Sequence, residues 1–158
     1  NDALISKIQS KRKSFSSELL NAIAIHKNEI SIAEAKKLAK IARALSPNPK
    51  QYSKVMGGLY MDKAKLNTKI RNYSGAIDIY EEAQTLYPEL GFNIKMRLYS
   101  IADSLMKDAY FSYKQDEIYT VLNSMEKIVQ LQPQLKTELQ SYILKLEKQI
   151  IQDNQKKP

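Results

Sequence analysis

Three proline stops constrain this chain more than any other feature of it. "ALSPNP" fills residues 44–49, "TLYPEL" 85–90 and "QLQPQL" 130–135, each a Leu-x-Pro that closes a run of helical period. Counting back from each proline meets the same three positions. Ala76, Tyr80 and Ala83 precede Pro88 at offsets of four and seven from the first, and Ala35, Ala39 and Ala42 stand likewise before Pro47. Val121, Met125 and Ile128 do the same before Pro133. That spacing puts three residues on one helix face. Small residues at the first and third positions let the helix lie close against a partner, and the residue between them fills the gap. Proline, lacking an N–H and clashing with the preceding turn, then ends the helix. A packing face followed by a fixed stop, met three times, is an internal repeat of helical hairpins.

The rest of the chain has the same character. Apolar residues recur at helical spacing, strand-like alternation is missing, and 4 Gly and 5 Pro in 158 residues leave little punctuation. Seven helices are expected. The first runs from Asp2 to about Asn28 with a break near Ser10 to Ser14, and the second from Ser31 to Leu45. Ser31 as N-cap with Glu34 three residues on forms a capping box. The third runs from Pro49 to Arg71 and contains Gly57-Gly58, where close packing or a kink is expected because each glycine costs a helix about 1 kcal/mol. The fourth runs from Tyr73 or Ser74 to Leu86, the fifth from Gly91 to Tyr113, the sixth from Gln115 to Leu131, and the seventh from Pro133 to about Asp153. Residues 154–158 read as a disordered tail.

The pattern from Tyr60 to Pro88 resembles the tetratricopeptide (TPR) repeat. Tyr60 stands at the family's aromatic position and Ala64 at its small one, followed by Ala76, Tyr80, Ala83 and Pro88 in family order; Asn67 stands where Tyr is usual. Leu19 and Ile23 serve in a first repeat, Leu105 and Ala109 in a third. Pro47 to Pro88 is 41 residues and Pro88 to Pro133 is 45, against a family period of about 34. The surpluses equal about two and three helical turns, so the first helices of those repeats are lengthened without rotating the buried face. The resemblance implies an all-α, right-handed superhelix of three TPR-like hairpins, about 2–47, 49–88 and 91–132, capped by a seventh helix over 133–153. It also implies a protein–protein scaffold or adaptor whose concave groove is walled by the first helix of each hairpin.

Composition narrows the chemistry. There is no Cys, which excludes disulfides, thiol catalysis and cysteine zinc sites. The one His, His26, near a helix end, reads as a surface or packing residue. No phosphate-binding glycine loop, nucleophile motif or two-histidine metal spacing occurs, so neither an enzyme, a cofactor nor a metal is expected. No 18-residue apolar stretch occurs to span a membrane. The abundance of Lys over Arg, with Ile, Asn and Tyr, fits an AT-rich bacterial genome. The opening Asn1-Asp2 is expected to mark a trimmed or processed chain. A soluble protein is expected, either cytoplasmic or periplasmic and envelope-associated, serving the assembly of a bacterial complex.

Two surfaces are candidates for binding. The fifth helix carries a core stripe (Ile94, Leu98, Ile101, Leu105, Ala109) and a second one holding Phe92, Met96, Tyr99, Asp103, Met106, Tyr110 and Tyr113. A helix apolar on two sides is either sandwiched or offers one face to a partner. Facing it, the third helix would present Lys54, Met61, Lys65 and Thr68. The expected groove has Met and Tyr walls and a Lys rim, suited to a peptide bearing carboxylates. The alternative is the N-terminal third. Of the net charge of +8, the first 50 residues hold +6, and Lys7, Lys11, Arg12 and Lys13 form a basic run. That run suits nucleic acid or an anionic lipid surface. No Tyr precedes Tyr52, which weakens single-strand stacking. Self-association through the first helix is a third possibility.

Overall fold

The same helical period that runs through the sequence gives helix after helix. The computed structural model describes residues 2–110 and 115–155, with the side chains of all these but Tyr110, Gln115, Asp153 and Asn154. Its elements are α1 (Asp2–Ile25), α2 (Ile32–Leu45), α3 (Pro49–Lys69), α4 (Tyr73–Leu86), α5 (Gly91–Tyr110), α6 (Gln115–Leu131) and α7 (Lys136–Gln155), with short 3-10 turns at Pro88–Leu90 and Pro133–Leu135. No strand occurs among the described residues. α1 is continuous through Ser10 to Ser14, where a break was expected, and α7 runs to Gln155. The expected tail residues 156–158 lie outside the described residues.

The helix ends follow from local chemistry. Ser31 and Glu34 form the full capping box at the start of α2. Asn48 and Asn72 accept from the backbone N–H groups of Gln51 and Gly75 at the starts of α3 and α4, both at 3.2 Å. The three proline stops close alike. The residue before each proline leaves the helical region, as the proline ring requires. Its N–H still donates to the third residue of its triad: Ser46 to Ala42 at 3.0 Å, Tyr87 to Ala83 at 2.8 Å and Gln132 to Ile128 at 2.9 Å.

All nine triad residues are buried, none more than 7% exposed. The repeated face is therefore the core face of α2, α4 and α6. Ser16 of α1 donates to Ala42 O at 2.7 Å, and Arg12 to Ala44 O at 3.3 Å, so α1 and α2 run antiparallel. In α3 and α4, Asn67 meets Asn72 at one end and Gly57 faces Tyr87 at the other, again antiparallel. Alternate helices run the same way. Ser17 of α1 meets Gln51 of α3, and Lys27, just past the end of α1, meets Asp62 of α3, partners 34 and 35 residues apart. Lys36 of α2 pairs with Glu82 of α4. Lys127 of α6 pairs with Asp78 and Glu81 of α4, and Gln84 reaches Leu131 O at 3.1 Å. Each second helix packs between its own first helix and the next one: α2 between α1 and α3, α4 between α3 and α5, α6 between α5 and α7. One apolar cluster runs through all seven helices. In the first hairpin Leu20 is buried where Leu19 was expected; Leu19 packs half-buried beside it.

The two glycines of α3 have opposite surroundings, and α3 runs through both. Gly57 is buried, and a Cβ there would sit 3.0 Å from Leu90 Cδ1 and 3.7 Å from the Tyr87 ring. Its bare backbone lets the second proline turn close onto α3. A Cβ on Gly58 would meet nothing within 4 Å. Gly58→Ala is therefore expected to raise the unfolding free energy by about 0.5–1 kcal/mol, through the helix propensity of Ala. Gly57→Ala should gain less or lose stability, because Leu90 must move. Urea unfolding of the two variants measures the difference.

Candidate functional site

The two stripes of α5 separate cleanly. Ile94, Leu98, Ile101, Ala102, Leu105 and Ala109 are buried. About 100° per residue carries Phe92, Met96 and Tyr99 to the far side of the helix. There Phe92 is 74% exposed, Met96 52% and Tyr99 38%. These three form a continuous apolar strip on a helix held rigid by its opposite face. Asp103, further along the strip, is engaged by Lys107 one turn on at 2.7 Å, and the carboxylate holds the Lys107 ammonium above its ordinary value. Met106 turns inward and packs half-buried against the core. The side chain of Tyr110 and all of Tyr113 lie outside the described residues.

On α3, Lys54 and Lys65 are exposed, and among the described residues neither forms an ion pair. Met61 is half-buried against the core, and Thr68 Oγ1 donates to Ala64 O at 3.0 Å on its own helix. The helices that pack closely on α5 are α4 and α6. None of the five concavities described is lined by Lys54, Met61, Lys65, Met96, Tyr99 or Met106. The expected pairing of the α3 residues with the α5 strip is taken up below as part of the proposed docking surface. The basic residues Lys7, Lys11, Arg12 and Lys13 are all exposed on α1.

A cleft absent from the sequence reading borders the strip. Successive proline turns stack, and a gap opens between the second and third. It holds about 590 Å³ and is lined by Gln84, Phe92, Lys95, Gln132 and Gln134 with Pro88 and Pro133. Gln132, buried, donates through Nε2 to Gln84 Oε1 at the base. The matching gap between the first and second turns is about 230 Å³, narrowed by Tyr52 and Tyr87. The repeated Leu-x-Pro motif was the available signal, since stacked turns leave such gaps at regular intervals. The wider one adds amide donors and acceptors and a lysine to one end of the apolar strip.

Tyr60 is fully buried, with its ring 5.9 Å from that of Tyr87 and the Lys36 ammonium 5.9 Å from its centroid. Its hydroxyl has no well-formed hydrogen bond, although the Lys36–Glu82 pair lies beside it. Burial pushes the Tyr60 phenol up to about 12, and raises Tyr80 and Tyr87 as well. Hydrogen bonding to Glu82 raises Lys36, and to Asp78 raises Lys127.

No family model, no curated protein and no solved structure matches this chain. Among the described residues no helix is long and apolar enough to cross a membrane, and no cluster of three metal-ligating side chains occurs.

A group whose folded pKa is raised stabilises fully below its unfolded value and loses that contribution as pH climbs through the folded one. The tyrosines, with ordinary values of 10.0, and the paired lysines, at 10.5, act with the same sign. Stability should hold up to pH 10 and fall between there and about 12. Tyr60→Phe should fall less steeply over that interval in pH-dependent urea unfolding.

Proposed function

We propose that the three hairpins stack as a TPR-like, right-handed superhelix capped by α7, and that the protein is a docking scaffold for a segment of another protein. The observation that carries this reading is the exposed strip Phe92, Met96 and Tyr99 on α5. Large apolar side chains set contiguously on a rigid helix, with a polar margin, are what a partner's side chains bury against. Tyr99 adds contact area and a polar tip at little entropic cost. The offset between the first and third helices, 34 residues from Ser17 to Gln51 and 35 from Lys27, just past α1, to Asp62, agrees with a hairpin of TPR period.

The partner segment runs along α5, placing apolar side chains on Met96 and Tyr99. Phe92, Lys95, Gln84 and Gln134 at the cleft meet its polar groups. Lys54 and Lys65 on α3 remain cationic anchors for a partner carrying carboxylates. The chemistry is recognition alone; no step of bond making is assigned to any residue, and neither a metal nor a cofactor is invoked.

Affinity capture from a native extract, nuclease-treated and washed at about 0.3 M salt to shorten the screening length below about 8 Å, tests the reading. The wild type should retain a discrete protein that a Met96→Ala/Tyr99→Ala variant loses by tenfold or more, with circular dichroism unchanged because both side chains are exposed. Equal retention by the variant would place docking elsewhere on the molecule.

A further inference from the structure

The first helix reaches past the body that anchors it. α2 ends at Leu45 and α3 begins at Pro49, and the Arg12 guanidinium on the Ala44 carbonyl is the first hydrogen bond from α1 to another helix among the described residues. Ser16 and Ser17 follow with bonds to Ala42 and Gln51. Every residue from Asp2 to Phe15 is exposed. About ten residues, or roughly 15 Å of helix at 1.5 Å per residue, therefore project beyond the neighbouring helix ends.

That projection is both apolar and basic. Leu4, Ile5, Ile8 and Phe15 are each 50–58% exposed. Leu4, Ile8 and Phe15 fall within about 40° of arc at the helical 100° per residue, making one stripe along the helix. Lys7 and Lys11 flank it on one side, while Arg12, which lies on the other, is drawn to Ala44 and leaves the stripe open. No acidic residue occurs between Asp2 and Glu18.

From this juxtaposition we propose that the N-terminal projection of α1 is a peripheral membrane contact that lies in the headgroup region of an anionic bilayer. A bilayer interface uses both halves of the surface: acyl chains receive the apolar stripe, and lipid phosphates meet the flanking ammonium groups. A nucleic acid would engage the cations and leave four large apolar side chains in water. A second copy would set two segments of net charge +6 in their first 50 residues against each other. The inference is independent of the docking strip on α5, and the two together would bring a partner segment to a membrane surface.

The test is cosedimentation of the whole chain with vesicles of phosphatidylglycerol and phosphatidylcholine, against phosphatidylcholine alone. Binding is expected only where the anionic lipid is present. Lys7→Gln/Lys11→Gln should lower the partition coefficient about 25-fold, at roughly fivefold per cation. Leu4→Ser/Ile8→Ser/Phe15→Ser should lower it by tenfold or more. The chain has no Trp, so Ile8→Trp gives a single probe, whose emission should shift to shorter wavelength on anionic vesicles. Three results overturn the proposal: no binding to anionic vesicles; binding that the apolar variant retains and duplex DNA matches, which marks a general polyanion surface; or a Trp shift that follows protein concentration without lipid, which marks a second copy as the occupant.

Discussion

Everything in this molecule is positioned by the close approach of α2 and α4 to the helices on either side of them. Ala35, Ala39 and Ala42 on α2, and Ala76 and Ala83 on α4, are wholly buried. Methyl-sized contacts bring helix axes to the near end of the usual 8–10 Å range, and at that distance a slip along the axis drives side chains into backbone. Register is thereby fixed. Lys36 can then reach Glu82 across α2 and α4, and Lys127 can reach Asp78 and Glu81 across α4 and α6. These pairs are each more than a third exposed, so they contribute well under 1 kcal/mol apiece and report the register more than they impose it. The third triad, with Val121 and Ile128, performs the same role with larger side chains.

Fixed register has consequences at both edges. Along one, the proline turns stack and leave gaps lined differently: Tyr52 and Tyr87 stand in the first, and glutamines, Phe92 and Lys95 in the second. Along α5 the buried stripe consumes one face of the helix and leaves Phe92, Met96 and Tyr99 outward. At the start of the chain the greater length of α1 relative to α2 leaves its first turns unaccompanied. None of these surfaces was built by a separate element. Each is what remains when hairpins of unequal length are stacked on a common face.

How far the sequence disclosed this depends on the range of the interaction concerned. Helix limits and caps follow from neighbours a few residues away, and the Ser31–Glu34 box, the proline stops and the nine buried triad residues were all legible. So was the core stripe of α5. Leu19 and Leu20 are adjacent and both apolar; 100° of rotation separates them, and only α3, 34 residues on, decides which is buried. The second stripe of α5 read equally well as core or surface, because periodicity carries no information on what lies opposite. The pairing of Lys54, Met61 and Lys65 with that stripe assumed a closeness of α3 and α5 that sequence spacing does not determine. The gap lined by Gln84 and Gln132 joins residues 48 apart; the repeated Leu-x-Pro marks the turns that border it, but not how far apart they stand.

The arrangement rests on alternate helices running parallel in register, and the absence of cysteine allows a direct measurement of it. Ser17 Oγ and Gln51 Oε1 lie 3.4 Å apart between α1 and α3, so thiols placed at the two positions fall within the span of a short bifunctional thiol reagent. A Ser17→Cys/Gln51→Cys variant treated with a short bis-maleimide should cross-link rapidly within one chain, and Ser17→Cys/Ser141→Cys, with its second cysteine on α7, sets the background. Prompt intramolecular cross-linking is the result this account predicts. A rate no greater than background would contradict the stacked register on which the docking strip and the projecting helix both depend.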